Sequence, residues 1–258
     1  MRTWLGRLRP WLTLAAAGLA LGVLLPPLGS YARQYAFVET LQFVVFAVAA
    51  PGLLVLGAPW RLPELSRRDA PPGLPSRLAP SRWPGLSRPG TVLVAFIAAV
   101  IAWRLPAAVN ALQGAPGLTV AELVTLLAAG AAVWLELVDS PPLMPRLSRP
   151  QRAAMAATAM WTLWVLAYIT GMSHGAWFSA YDHAAGHGLS TAADQQLAAG
   201  IMWAVPALCF APVIYGMLIP WIGDSESPDD ELREATSHER AQAGLGGPLR
   251  PPRGWRRP

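Results

Sequence analysis

The sequence predicts an all-α fold: a polytopic membrane bundle of about six transmembrane helices, with both termini on the cytoplasmic side. Three observations predict it. Of 258 residues, 53% are hydrophobic and only 14% charged, where a soluble domain carries about 25% charged residues. Apolar runs of membrane-spanning length recur along the chain, separated by segments rich in Pro, Ser and Arg. All 20 basic residues are Arg, and 18 of them fall in the N-terminus, 59–90, 139–152 and the tail. Six spans put those four segments on one side, which the positive-inside rule assigns to the cytoplasm. Only Arg33 lies in an opposite loop, and Arg104 lies inside a run.

Spans are expected near 11–28, 36–58, 91–112, 118–138, 153–172 and 195–222, so that 1–222 is the transmembrane domain. The first run is short and follows Arg2, Arg7 and Arg9. Ser30-Tyr31-Ala32 after it has the form of a signal-peptide cleavage site, but the run is read as a retained helix. The second run carries Glu39 and Gln42 near its start and Pro51 deeper. The stretch 59–90 is too polar and Pro-rich to bury a core. In the third run Arg104 stands beside Pro106, and the fourth carries Glu122 and Glu136. The last run follows Ser190; Asp194 is expected to cap its helix, with Gln195 and Gln196 in the first turn. Pro206, Pro212 and Pro220 are expected to kink it. The tail, 223–258, is acidic and then rich in Arg, Pro and Gly, and is expected to be disordered.

These features narrow the function. The net charge of +5 sits in loops on one membrane side, so the expected partner is membrane lipid and not nucleic acid. A single cysteine, Cys209, excludes an internal disulfide and a CxxC metal site. With no nucleophile motif, no acid–base pair in a soluble cleft and no phosphate-binding loop, the chain does not read as an enzyme. Ionisable groups inside a bilayer cost about 2.5–3.5 kcal/mol each at its centre. Glu39, Gln42, Arg104 and Glu122 are therefore expected to meet as an intramembrane polar cluster. Two readings stay open, a structural ion cluster and a ligand, proton or metal site. The loop 173–194 supplies a second candidate: Met172, His174, His183 and His187, with Met202 in the last run. Imidazole with thioether suits copper, especially the cuprous ion, whereas loop histidines can also be merely solvated.

Three motifs carry a resemblance to a known family. LSTAADQQLAAGIMW, from Leu189 to Trp203, includes Asp194, Gln195, Gln196, Met202 and Trp203 and resembles LSPLxDQQLxGLIMW of the membrane-embedded CtaG family of cytochrome c oxidase assembly factors. APGLLVLGAPW, from Ala50 to Trp60, is similar to that family's APxLLxLGAP, and WRLP at Trp103–Pro106 stands where it has WHLP. The resemblance runs from about Leu14 to Ile222. It implies a membrane assembly factor for a haem–copper oxidase, copper-related at the outer face of a bacterial inner membrane, with oxidase subunits as partners. A metal-free scaffold or accessory subunit of a respiratory complex, and a small copper transporter, are the alternatives. The family's HxxQH is here Glu39-Thr40-Leu41-Gln42-Phe43, its WHLP histidine is Arg104, and its EH pair is Glu122-Leu123. None of those four histidines, the copper ligands the family pattern would imply, is present.

Overall fold

The computed structural model describes residues 2–61, 88–140, 143, 145–173, 177–182 and 188–224. The chain divides into two units, Met1–Leu218 and Ile219–Pro258. Everything below concerns the first, except the last residues of one helix. Among the described residues the fold is all-helical, with no β-sheet. The elements are α1 (Arg2–Leu24), α2 (Ala36–Gly57), α3 (Pro89–Arg104), α4 (Pro106–Leu112), α5 (Pro116–Leu137), α6 (Arg149–Gly171) and α7 (Thr191–Asp224).

Four helices, α2, α5, α6 and α7, are long and apolar enough to cross a membrane, and α3 with α4 makes a fifth if the bent pair is one span. The expected six-span count is therefore met only as four to five. The first run forms a helix, but its apolar part, Leu8–Leu24, falls below spanning length by this measure. The third run is not one straight helix. It breaks at Leu105, whose backbone is extended (φ −63°, ψ 138°), and α4 leaves α3 at 67°. Pro106 is the cause: it disfavours helical geometry in the residue before it and starts the next helix as its first residue. The last run begins at Thr191, earlier than expected, and stays helical to Asp224 through all three prolines. The expected disordered tail and most of 59–90 lie outside the described residues.

Helix α2 is the centre of the bundle. Of its most apolar 18-residue window 72% is buried, against 22% for α7, so the other helices are arranged around it. Its middle, Val45–Ala49, is a π-helical turn just ahead of Pro51. Pro51 has no N–H to give to the carbonyl of Ala47, and widening the turn relieves the clash. A neighbouring side chain adds a bond at this turn: Trp134 Nε1 on α5 donates to the Val48 carbonyl at 2.9 Å. Two glycines allow this close approach. A Cβ at Gly130 would collide with the Ala47 carbonyl, and one at Gly52 would strike the Trp134 ring. Trp134 in turn stacks on Phe210 of α7 at 5.3 Å. Helix α1 lies against the last two turns of α2, where Gly57 accommodates Thr13.

The outward faces stay apolar. Val94, Val120, Val124, Trp161, Val165 and Leu208 are all exposed, which suits helices facing hydrocarbon and would be a liability in water.

Candidate functional site

The polar residues of the bundle gather at the end where α2 begins. Arg104 closes α3 and is buried, with 2% of its surface exposed. Its Nη1 donates to Glu39 Oε2 on α2 at 2.5 Å, and its Nη2 donates to the Thr40 hydroxyl. The guanidinium plane sits between two rings, Phe43 of α2 and Phe178 of the segment 177–182, each with its centroid 5.0 Å away. Two hydrogen bonds to separate acceptors from one planar group, with two aromatic rings against it, is an arrangement that arginine fills and lysine does not. Glu122 on α5 is equally buried and lies within electrostatic reach of both Glu39 and Arg104. Glu39 and Arg104 are thus in direct contact, with Glu122 within electrostatic range of both.

Gln42, the fourth expected member, is turned away. Its amide donates to the Val23 carbonyl at 2.6 Å, tying α2 to the end of α1. Glu39 and Gln42, three residues apart, lie only about 60° from one another around α2; what separates them is the partner, Arg104 of α3 for the first and the Val23 carbonyl of α1 for the second. Glu136, at the opposite end of α5, is held by Arg146, whose Nη2 is 3.0 Å from Oε1 and whose backbone N–H donates to Oε2.

The segment 177–182 covers the cluster and is fastened on several sides. The Trp177 amide donates to Gln195 Oε1 on α7 at 2.9 Å. Asn110 of α4 bonds both the Ser179 hydroxyl and the Ala180 amide, at 3.0 Å each. The Tyr181 hydroxyl donates to the Ala32 carbonyl at 3.2 Å, and its side chain also bonds Gln113. Burial, then the negative charge of Glu39, pushes the Tyr181 phenol well above its ordinary range, so it stays a neutral hydroxyl. Nothing in the spacing of the sequence marks Thr40, Phe178, Tyr181 or Asn110 as members of this site; only the fold brings them to Arg104.

The Asp194–Gln195 motif has a different use from the one expected. Asp194 does not cap its own helix; the Ser190 hydroxyl does, accepting from the Ala193 amide at 3.2 Å. The Asp194 carboxylate instead accepts the first two amides of α2, Ala36 at 2.8 Å and Phe37 at 2.9 Å. Gln195 donates to the Thr170 carbonyl at 2.6 Å and the Ser173 carbonyl at 3.3 Å, closing the C-terminal end of α6. Unpaired amides begin every helix and unpaired carbonyls end it; here two neighbouring side chains of α7 satisfy one of each kind. Gln196 is exposed. Met202 is fully buried in the hydrophobic core, and Trp203 stacks on Trp164 at 4.4 Å while its carbonyl accepts the Trp164 Nε1–H.

Of the loop residues considered for metal, Met172 is exposed at the end of α6, whereas His174, His183 and His187 lie outside the described residues. Among the described residues no three His, Cys, Asp or Glu side chains stand close enough to hold a metal ion. The cluster around Arg104 does not fit one either, because a guanidinium at hydrogen-bonding distance from a carboxylate repels a cation and consumes its ligand.

An all-helical bundle with apolar outer faces and a charged cluster enclosed among its helices defines a multi-pass membrane protein. The pattern of the cytochrome c oxidase caa3 assembly factor family, Caa3_CtaG, matches residues 2–224, and the chain belongs to that family. No curated protein and no solved structure matches it.

Proposed function

We propose that this protein is an assembly factor for a haem–copper cytochrome c oxidase of a bacterial inner membrane, acting by binding oxidase subunits and not by catalysis. The match over residues 2–224 to the assembly-factor family carries this reading. The positive-inside count supports six spans, with α1 and the bent α3–α4 pair among them and both termini in the cytoplasm. In that orientation the Arg104 cluster, the Asp194–Gln195 clamp and the loop with His174, His183 and His187 all face the outer side, where copper reaches an oxidase. Copper enters as cargo. Met172 and the three loop histidines are the residues that would hold it, through thioether and imidazole, and the buried Met202 is left out.

The ion pair Arg104–Glu39 favours a second reading, a metal-free scaffold. Two of the four positions where the family pattern has histidine hold the ion pair Glu39–Arg104, and a third, Phe43, packs its ring against that guanidinium, a set suited to fixing helices and not to ligating metal. One experiment separates the two. Deleting the gene product and restoring it with His183→Ala/His187→Ala or Met172→Ala/His174→Ala variants tests copper handling. Loss of oxidase copper in either double variant, with copper retained by the purified wild type, supports delivery. Full oxidase activity in both leaves the scaffold, and full activity in the deletion itself removes the assembly reading altogether.

A further inference from the structure

The cluster around Arg104 holds more acceptors than it uses. Two carboxylates, Glu39 and Glu122, share one guanidinium, and all three side chains are at least nine-tenths buried. Arg104 directs Nη1 to Glu39 and Nη2 to Thr40, which leaves Glu39 Oε1, Glu122 Oε1 and its own Nε buried without a hydrogen-bond partner. Buried polar groups are nearly always paired, and of these three atoms the two carboxylate oxygens are acceptors that lack a donor, while Nε–H is a donor. The trio carries a formal charge of −1. The second carboxylate in this setting has no cation of its own to offset it, and a buried charge without a partner is the costliest state available to it.

We propose that Glu39, Arg104 and Glu122 form a site for one exchangeable proton, carried on the Glu122 carboxyl and reached from beneath the segment 177–182. Glu39 is the wrong seat because Arg104 is already on it at 2.5 Å. Binding converts Glu122 from carboxylate to carboxylic acid, brings the trio to neutrality and supplies the O–H donor that the unpartnered carboxylate oxygens lack. A metal or alkali ion would have to sit beside the guanidinium, whereas a proton adds no bulk and forms a covalent O–H bond. Among the described residues, the other titratable groups near the cluster are engaged elsewhere or exposed. Tyr181 remains a neutral phenol, Asp194 is turned to the Ala36 and Phe37 amides, and Asp182 is exposed to solvent. Access runs past Phe178, whose ring covers Arg104 and whose segment is fastened by side-chain bonds from Asn110 and Gln195 that can open without unfolding a helix. Loss of the proton leaves an extra negative charge in the cluster whose guanidinium Phe178 covers and loosens that cover.

The test uses full-length protein in detergent. Infrared spectra at neutral pH should show a protonated-carboxyl stretch that shifts in heavy water, disappears in Glu122→Gln and persists in Glu136→Gln. Raising the pH should remove the band and, in the same range, speed amide hydrogen exchange in 177–182. Should Glu122→Gln not yield folded protein, Glu122→Asp serves instead, because it must move the band. Absence of the band in the wild type overturns the proposal. So does a band unchanged in Glu122 variants, which would place the proton on another group such as Asp194. A band removed by added sodium at fixed pH overturns it in favour of an alkali-cation site.

Discussion

The carboxylate of Asp194, three residues into α7, receives the backbone amide of Ala36 at 2.8 Å, 158 positions earlier in the chain. Its other oxygen takes the next amide, Phe37. A side chain of one helix thus performs the capping of another, and the register of α7 against α2 is set by that pair of bonds.

Replacing Asp194 with Ala should lower stability by about 1–3 kcal/mol, since it strips a helix start of its acceptor and leaves amides unpaired. Asn, which keeps one acceptor oxygen and loses the charge, should fall between the two. Thermal unfolding of the detergent-purified variants measures this, and an Ala variant as stable as wild type would show that the clamp contributes nothing.

Arg104→Ala should be more damaging than Glu39→Gln or Glu122→Gln. It leaves the Glu39 carboxylate buried without its cation, beside the acidic side chain of Glu122, a change on the order of 3–5 kcal/mol for a buried pair that loses one partner. Adding Glu39→Gln and Glu122→Gln to Arg104→Ala should recover much of the folded yield. A triple variant worse than the single one would mean that the three residues do not act as one cluster.

Gly130→Val should destabilise by roughly 1–3 kcal/mol, because the new side chain meets the Ala47 carbonyl and Pro51 at the π-helical turn of α2. Gly200→Ala, on α7 with nothing within 4 Å of the added Cβ, should be neutral or stabilising. Both are read from melting temperatures, and equal effects would disprove the tight α2–α5 contact.

A cytoplasm-specific reporter fused after Arg257 or inserted at 64–88 should be active, and one placed at 180–188 should be silent. Activity at 180–188 would turn the bundle over and put the Arg104 cluster on the cytoplasmic face.

The sequence by itself determined the helical class and the placement of most apolar runs, and it singled out Glu39, Arg104 and Glu122 as charges that need partners. Hydropathy and the cost of buried charge are local properties of composition, and opposite charges at similar depths have few other partners. It also carried the family motif, although not the motif's use. The fate of Gln42 and the transfer of Asp194 from its own helix to α2 were decided by tertiary structure. Each depends on which backbone groups a neighbouring helix leaves unsatisfied, and that is settled only when the helices pack. Phe178 and Tyr181 show the same limit: a ring over a guanidinium 74 residues away leaves no periodic trace, because nothing in its own segment requires the contact.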